Sequence, residues 1–262
     1  MEYMHYNDIT IIKLPVHPFF RHLKIHLYYM DGFLIDAGPS AQKRQLKPVI
    51  RSLDVNQTAI THHHEDHAGL ASWMGKQDRV KVFCDQRMPG IIKEKENMSW
   101  FSKLFVGAGR PFHGEPFPRV IKTSAYEFHP ISTPGHTSDH VCLLEPNKGW
   151  LFTGDLYVTP YPKVFLKDES ISDYIESLEY LQSLDYDTVF CAHEGVIENG
   201  KEKMAKKLAY LKRIRSEVVQ LHKLGYSDQG IRSKIFPKRV KLELISFGFF
   251  SRLHLIRSCY KN

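Results

Sequence analysis

Short apolar runs with β-type alternation recur between residue 9 and about residue 195, separated by helical or loop segments. The pair Asp31-Gly32 lies between two of these runs and suits a tight hairpin turn. Strands are predicted at "DITIIKL", "KIHLYYM", "GFLIDAG", "NQTAITH", "VKVFCD", "YEFHPIST", "HVCLLEP", "GWLFTGD" and "DTVFCAH". This succession of strands and helices favours a strand-rich αβ sandwich.

Apolar residues at helical spacing mark three segments within the same region. The pattern predicts a helix in "AQKRQLKPVIRSL" that is interrupted at Pro48, a helix in "AGLASWMGK" that has Asp66 and His67 at its N-terminus, and a helix in "SISDYIESLEYLQSL". Beyond residue 200 three more helices are predicted, in "KMAKKLAYLKRIRSEVVQLHKLG", "SDQGIRSKIF" and "FFSRLHLIRSCY". We therefore divide the chain into a domain of residues 1–200 and a helical C-terminal extension of residues 201–262.

Residues 97–119 form an apolar segment without regular periodicity. The segment has six aromatic or leucine side chains together with three prolines and three glycines. An irregular packed loop, a lid over a substrate and a contact surface of a homodimer all fit this composition. The segment is therefore treated as an apolar insert of the first domain.

The composition is that of an ordinary globular protein, with 42% hydrophobic and 25% charged residues in 262 positions. The sequence shows neither a secretory leader nor an apolar run long enough to cross a bilayer, so we expect a cytoplasmic protein without a membrane partner. The four cysteines lie far apart and form no Cys-x-x-Cys pair. This spacing predicts buried reduced thiols and no disulfide framework.

The formal net charge is +7 and the sequence pI is about 9.1, which leaves a nucleic-acid partner open. The basic excess is concentrated in "KEKMAKKLAYLKRIR" near the C-terminus. A charge run on a helix is typical of a solvated face, and this interpretation is favoured over nucleic-acid binding.

Four histidines and two acids occupy the six positions 62–67, directly after a predicted strand. The spacing His62-x-His64-x-Asp66-His67 offers imidazoles and a carboxylate together, which are the donors that a catalytic metal site uses. His136, Asp155 and His193 each follow another predicted strand. Each of the three alone would be an ordinary loop residue, but together with the histidine block they indicate a metal site.

The segments "THHHEDHAG", "TPGHT", "TGD" and "CAHEG", in that order, resemble the successive metal-binding motifs of the metallo-β-lactamase superfamily, and "GFLIDAG" resembles its early strand that ends in an Asp. The resemblance covers about residues 9–195. It implies an α+β fold, an αββα sandwich with a metal pair in a shallow groove at one edge of the two sheets. The C-terminal helices are then expected to pack against the core and to wall one side of that groove.

The resemblance also implies a ligand set and two groups behind it. His62, His64 and His136 would bind one metal, Asp66, His67 and His193 would bind the second, and Asp155 would bridge both. Asp36 would orient the histidine block by hydrogen bonding, and His140 is a candidate for orienting a ligand or contacting substrate. His63 and Glu65 would stay outside the ligand set.

Two divalent ions in such a site would share a hydroxide that attacks an electrophilic carbon or phosphorus. Imidazole-rich donors with carboxylates suit zinc, and manganese and iron are chemically possible. His64 stands where an iron-using branch of the superfamily has a Glu, which favours zinc and hydrolysis over redox chemistry. Asp66 could take or return a proton, and Tyr157 and Tyr161 are candidates for stabilising an oxyanion. The sequence thus predicts three catalytic residues, of which Asp66 is also a metal ligand.

The leading hypothesis is a glyoxalase II-like or lactonase-like hydrolase that cleaves a small ester, thioester or lactone. The further motifs with which hydroxyacylglutathione hydrolases bind glutathione are not found after "TGDLYVTPYPK". A metal-dependent phosphodiesterase or nuclease is the first alternative, since a metal pair cleaves phosphodiesters equally well. The second alternative is a non-enzymatic metal-binding protein whose C-terminal helices bind DNA or a partner.

Overall fold

The structure, a computed structural model, describes residues 1–16, 23–77, 79–95 and 110–260. It contains two β-sheets, one of seven strands and one of six among these residues. The first sheet has the strand order β1-β2-β3-β4-β5-β6-β7, with antiparallel pairs from β1 to β4 and parallel pairs from β4 to β7. Its strands are β1 (Glu2–Tyr6), β2 (Ile9–Pro15), β3 (Lys24–Met30), β4 (Phe33–Ile35), β5 (Gln57–Ala59), β6 (Lys81–Cys84) and β7 (Glu115–Pro116).

The second sheet has the order β13-β12-β11-β10-β9-β8. All adjacent strands in this sheet are antiparallel, except β11 and β12, which run parallel. Its strands are β8 (Ile121–Lys122), β9 (Glu127–Ser132), β10 (Val141–Glu145), β11 (Trp150–Gly154), β12 (Thr188–Cys191) and β13 (Gly195–Ile197).

Alternate side chains of each strand point to opposite faces, and this alternation divides the core into layers. Phe33 and Ile35 on β4 lie between the two sheets, whereas Leu34 lies on the outer face of the first sheet. An aromatic cluster fills the space between the sheets. In it the rings of Phe152 and Phe190 stack with centroids 4.5 Å apart. The predicted sandwich is confirmed, and its inner layer is rich in aromatic residues.

Helices cover both outer faces and complete the predicted αββα arrangement. The outer face of the first sheet packs against four helices, α1 (Lys43–Ser52), α2 (Glu65–Ala68), α3 (Ala71–Met74) and α4 (Met88–Lys95). The outer face of the second sheet packs against α5 (Ile171–Gln182), α6 (Gly200–Lys223), α7 (Asp228–Ile235) and α9 (Arg252–Ser258). The short helix α8 (Lys241–Ile245) has no buried residue.

Several local predictions were confirmed and others were wrong. The hairpin at Asp31-Gly32 is confirmed, with Met30 paired to Phe33 across a turn of two positive φ angles. Strand β1 was not predicted. Pro48 does not interrupt α1, because its missing N–H frees only the carbonyl of Arg44, which lies in the exposed first turn.

The helix predicted in "AGLASWMGK" is two short helices, α2 and α3, separated by Gly69 and Leu70. Asp66 therefore lies within the first turn of α2, and the N-cap residue of that helix is His64. This places the Asp66 side chain beside His67 and His193 instead of at a cap.

The C-terminal helices pack against the second sheet, as predicted. Met204, Leu211 and Ile214 of α6 are buried in its outer core, and Ser251, just before α9, pairs with Phe165 in an antiparallel bridge. Lys206, Lys212 and Arg213 of α6 are exposed and form ion pairs, for example Arg213 with Glu217, whereas Lys207 is buried. Whether these helices wall a groove stays a prediction.

Of the apolar insert, residues 97–109 lie outside the described part of the chain, and so does most of the lid or interface that we predicted there. The described remainder belongs to the first sheet. Phe112 is buried in its outer core, and β7 extends the sheet beside β6. In the described residues, no helix combines the length and the apolar character that crossing a bilayer requires.

Candidate metal centre

All seven predicted metal donors follow the carboxyl ends of strands and meet at one edge of the sandwich. The histidine block follows β5, His136 follows β9, Asp155 follows β11 and His193 follows β12. The parallel pairs β4–β5 and β11–β12 bring the ends of neighbouring strands to the same edge. The fold therefore gathers residues that lie more than 130 positions apart in the sequence.

The donors form two groups, and within each group the donor atoms lie within 4.8 Å of one another. Group one consists of His62, His64, His136 and Asp155, all of which are buried. In it, Nδ1 of His64 lies 3.0 Å from Nε2 of His136. Group two consists of Asp66, His67 and His193, with Nε2 of His193 3.5 Å from Oδ2 of Asp66.

Asp155 lies between the two groups and turns one carboxylate oxygen to each. Its Oδ2 is 3.4 Å from Nε2 of His136 and 3.9 Å from Nε2 of His62, both in group one. Its Oδ1 is 3.3 Å from Nε2 of His67 and 3.2 Å from Nε2 of His193, both in group two. A carboxylate in this position can serve two cations at once.

Three donor atoms of the two groups are buried without a hydrogen-bond partner among the described residues. They are Nε2 of His62, Nε2 of His67 and Oδ1 of Asp155. Unsatisfied polar atoms are costly in a protein interior and call for an explanation. A mixture of imidazole nitrogens and carboxylate oxygens around such atoms fits divalent metal ions.

In three of the histidines, Nδ1 makes a hydrogen bond, and Nε2 is therefore the nitrogen that can bind a metal. Nδ1 of His67 donates to Oδ2 of Asp36 at 2.7 Å, and Nδ1 of His193 donates to the backbone carbonyl of Lys24 at 2.6 Å. Nδ1 of His136 donates to Oε1 of Glu169 at 2.9 Å. Partners of this kind fix the tautomer and the orientation of metal-binding imidazoles.

Asp36 is buried, and its carboxylate accepts hydrogen bonds from the backbone N–H and the hydroxyl of Thr61 as well as from His67. Its backbone has a φ of 64°, a left-handed conformation that Asp tolerates better than most residues. The conformation turns the chain after β4 and aims the carboxylate at the histidine block. Asp36 thus contacts both Thr61 and His67, and its role in orienting metal ligands stays a prediction.

His140 is fully buried behind Asp155. Its Nε2 accepts the backbone N–H of Asp155 at 3.2 Å, and its Nδ1 contacts the hydroxyl of Thr133 at 2.9 Å. Burial and the nearby His136 lower the pKa of His140 to about 3, so it is neutral. A Cβ on Gly154 would lie 2.8 Å from Nε2 of His140, which leaves room only for glycine at that position.

The electrostatics of the two groups differ. Burial, reinforced by His67, His64 and His136, lowers the pKa of His62 well below its usual value. Burial also opposes the charged form of His67, but Asp36, Asp155 and Asp66 outweigh it and raise that pKa well above the usual value. His62 in group one is therefore a neutral imidazole, whereas His67 in group two lies in the negative field of three carboxylates.

His63 and Glu65 have partners outside the two groups. Nδ1 of His63 lies 2.8 Å from Oδ1 of Asp139, and the backbone N–H of Ser40 donates to Oε1 of Glu65 at 2.7 Å. Burial raises the pKa of Glu65 to about 7. That these two residues are not ligands stays a prediction.

Tyr157 and Tyr161 lie close behind Asp155 in sequence but in different surroundings. Tyr157 is buried in the outer core of the second sheet, and burial raises the pKa of its hydroxyl. Tyr161 is 53% exposed, and its ring packs edge-on against Tyr210 of α6. Their role as oxyanion donors stays a prediction.

Sequence reasoning missed Glu169, the carbonyl of Lys24, Thr61 and Asp139. Glu169 lies in a loop without a recognisable motif, 33 positions after the histidine that it contacts. A backbone carbonyl has no sequence signature at all. Thr61 would have been the easiest of the four to predict, since it directly precedes the histidine block.

Residues 30–193 match the family model described as the metallo-beta-lactamase superfamily. The match spans more than half of the chain and contains every residue of the two donor groups. The chain belongs to this superfamily. The expectation drawn from the order of the motifs is thereby confirmed.

Two curated members of the superfamily illustrate the range of similarity. A hydroxyacylglutathione hydrolase of Legionella pneumophila (strain Corby) is 33% identical over 174 residues, which cover 64% of this chain and 59% of that protein. The chain therefore matches about six-tenths of the length of that relative. The "Probable metallo-hydrolase YqjP" of Bacillus subtilis (strain 168) is 26% identical over 262 residues, covering 80% of this chain and 81% of that protein.

The fold is shared with solved members of the superfamily. A metallo-beta-lactamase family protein of Thermus thermophilus, TTHA1429, superposes with a TM-score of 0.68 at 20% identity. The superposition covers 95% of this chain and 92% of that chain, and so it includes the C-terminal helices. At this identity the likeness establishes the fold alone.

Proposed function

We propose that this superfamily member is a dinuclear metal-dependent hydrolase that cleaves a small ester, thioester or lactone. The observation that carries the proposal is the position of Asp155, whose two oxygens face two separate donor groups. His62, His64, His136 and Asp155 would hold one metal, and Asp66, His67, His193 and Asp155 would hold the second. The imidazole-rich donor set favours zinc, with manganese and iron as chemically compatible ions.

Two bound divalent metals would supply a Lewis acid for the carbonyl oxygen and would lower the pKa of a water molecule towards neutrality. The residues of the chain would hold that centre in a defined shape. Asp36, Glu169 and the carbonyl of Lys24 keep three imidazoles in the tautomer that leaves Nε2 free. His140 fixes Asp155 through the backbone N–H of that residue.

Among the candidate metal ligands, Asp66 is the residue best placed to exchange protons with a substrate. Its side chain is 16% exposed, which is more than the side chains of His136, Asp155 and His193 are. We propose that its carboxylate accepts a proton during attack and returns it to the leaving alkoxide or thiolate. Breaking an acyl–oxygen or acyl–sulfur bond then yields a carboxylic acid and an alcohol or thiol.

The substrate class is supported by the relative named hydroxyacylglutathione hydrolase, which acts on an acyl thioester according to that name. Glutathione itself is not specifically supported, because the motifs that bind it are not found after "TGDLYVTPYPK". We therefore propose a thioester, ester or lactone with a small acyl part. Phosphodiester cleavage, by a nuclease of the same superfamily, is the competing outcome.

The test is a measurement of metal content per chain together with a screen of chromogenic ester, thioester, lactone and phosphodiester substrates. We expect two equivalents of zinc and turnover of at least one carboxylic derivative. His64→Ala should lose about one equivalent and abolish turnover, whereas His5→Ala, on the exposed edge strand β1, should behave like the wild type. Full metal content and full turnover in His64→Ala would refute the proposal, and turnover of phosphodiesters alone would select the nuclease.

A further inference from the structure

Glu169 connects the metal centre to the C-terminal extension. Its side chain is 8% exposed, and its Oε1 accepts hydrogen bonds from Nδ1 of His136 and from the hydroxyl of Tyr174, both at 2.9 Å. Its Oε2 accepts the backbone N–H of Leu166 at 2.5 Å. The carboxylate is thus held from three sides and has a fixed position in front of His136.

This carboxylate determines which nitrogen of His136 carries the proton. A carboxylate cannot donate, so Nδ1 of His136 must be the protonated nitrogen and Nε2 must carry the lone pair. Nε2 is the atom that faces Oδ2 of Asp155 and Nδ1 of His64. Glu169 therefore presents His136 to group one in the state that a metal needs.

The loop around Glu169 is in turn held by α9. The hydroxyl of Ser258 donates to the backbone carbonyl of Glu169 at 3.0 Å and accepts the backbone N–H of Ile171 at 2.7 Å. At the other end of the loop, the backbone of Ser251 pairs with Phe165 through two hydrogen bonds of 2.9 and 3.1 Å. Residues 165–171 are thus tied to the C-terminal extension at both ends.

We propose that Glu169 is the positioning residue for His136 and that α9 keeps it in place, so that the C-terminal extension forms part of the support of the metal centre. This inference rests on the proposed function insofar as it needs a metal in group one. It assigns to the C-terminal helices a role that is separate from walling a groove or binding a partner.

The experiment compares the zinc affinities of the full-length wild type, Glu169→Gln and Glu145→Gln by competition with a chelator. Glu145 is the matched control because it is buried and hydrogen-bonded, to the backbone N–H of Lys148 among others, but belongs to neither donor group. The amide of Glu169→Gln has one acceptor oxygen where the carboxylate has two, so His136 or Leu166 would face an N–H₂ group. We expect one of the two zinc ions to bind about 10- to 100-fold more weakly in Glu169→Gln.

The other zinc ion should keep its wild-type affinity, and Glu145→Gln should leave both unchanged. The d–d absorption spectrum of the cobalt-loaded protein gives a second readout, because a displaced His136 changes the ligand geometry whereas a general loss of stability does not. If Glu169→Gln does not fold, Glu169→Asp replaces it in the experiment. This variant keeps the charge but has a shorter side chain, so its carboxylate would lie farther from His136.

Ser258→Ala tests the part played by α9, with Ser183→Ala as its control, since Ser183 donates only to the nearby carbonyl of Tyr180 on the surface. We expect Ser258→Ala to reduce the affinity for the same zinc ion by less than about tenfold, because the variant loses one neutral hydrogen bond. Equal affinities in Ser258→Ala and Ser183→Ala would overturn the role of α9.

The outcomes separate this inference from the proposed function. A wild type that binds no metal would overturn both. A wild type that binds two zinc ions, together with a Glu169→Gln variant of unchanged affinities and unchanged cobalt spectrum, would overturn the inference alone.

Discussion

Asp155 faces both donor groups, but the groups differ in composition and burial. Group one contributes three imidazoles, and all of its residues are buried. Group two contributes two imidazoles and the carboxylate of Asp66, and both Asp66 and His193 are partly exposed. We therefore propose that water and substrate exchange on the side of Asp66, whose side chain is more exposed than those of His136, His193 and Asp155.

The supports of the two groups differ as well. In group two, His67 is held by Asp36 at the end of β4, and His193 by the carbonyl of Lys24 on β3, both in the first sheet. In group one, His136 is held by Glu169, which lies between the second sheet and the C-terminal helices. The first sheet therefore orients His67 and His193, and the loop before α5 orients His136. Asp155 contacts both groups, and so does the hydroxyl of Thr61, which lies 3.1 Å from Nδ1 of His62 and 3.3 Å from Nδ1 of His67.

The largest effect is expected for Asp155→Asn, because this residue serves both groups. The amide keeps the shape of the side chain but removes the charge and replaces one acceptor oxygen by an N–H₂ group. We expect both metal sites to weaken by more than about 100-fold, beyond the range typical of residues that only orient a ligand. Metal content per chain after dialysis, measured by elemental analysis, checks this prediction.

Asp185→Asn is the control for that variant, since Asp185 is an exposed carboxylate in the loop between α5 and β12. It should retain the metal content of the wild type. If Asp155→Asn lost only one metal ion, the two groups would not share this residue, and the comparison between them would need a different link.

A smaller and one-sided effect is expected for Asp36→Asn. The variant leaves either Thr61 or Nδ1 of His67 facing an N–H₂ group, so the orientation of His67 is disturbed directly and that of His62 in group one only through the hydroxyl of Thr61. We expect the metal in group two to bind about 10- to 100-fold more weakly, with a smaller loss of affinity at the other metal. Competition with a chelator, followed one equivalent at a time, measures the two affinities separately.

Asp54→Asn is a close control for Asp36→Asn, because Asp54 also has a left-handed backbone, with a φ of 51°, but lies on the surface beside Arg79. An equal loss of affinity at both metals in Asp36→Asn would contradict the prediction that this residue acts mainly on group two. Together with Glu169→Gln, the variant gives a pair in which each member should mainly affect a different metal.

The candidate metal donors could be predicted from the sequence, but most of the residues that orient them could not. The reason is physical. His62, His64, Asp66 and His67 sit on one loop at fixed spacing, because metal binding requires those residue types at those positions. Asp36 was recognisable because it ends a strand in a known motif. Glu169 contacts His136 across a turn of the tertiary fold, and any acid at the right place would serve, so no local pattern identifies it.

Buried strands were likewise easier to predict than exposed ones. Runs such as "KIHLYYM" predicted buried strands correctly, because burial on both faces demands apolar side chains. Strand β1, "EYMHY", is almost entirely exposed and was missed, since its sequence carries no apolar requirement. Pro48 was given too much weight, because the cost of a proline depends on whether the freed carbonyl is reached by water.

The smallest effect concerns Lys207, which supports the chain just after Asp155. It is buried in α6, and its ammonium group donates to the backbone carbonyls of Leu156 and Tyr157. Burial lowers the pKa of Lys207 from 10.5 to about 8, against the opposing effect of Glu169. Since Lys207 is in neither donor group, replacing it should alter the stability of the fold and leave the number of bound metals unchanged.

The sign of the pH dependence follows from proton binding. Between about pH 8 and pH 10.5 the unfolded chain keeps the proton on Lys207 and the folded chain releases it, so the free energy of unfolding rises with pH in this window. The full rise is on the order of 3 kcal/mol. Lys207→Met lacks this group, so its free energy of unfolding should rise less than that of the wild type.

Urea unfolding of the metal-free protein at pH 7.5, 8.5 and 9.5 measures the difference, and the groups common to both proteins cancel in it. Lys212→Met is the control, because Lys212 is half-exposed and pairs with Glu179 on the surface, and its curve should run parallel to that of the wild type. A wild type and a Lys207→Met variant with parallel curves would mean that Lys207 keeps its proton in the folded chain. In that case the segment after Asp155 would be braced by a buried ammonium group at every pH of the series.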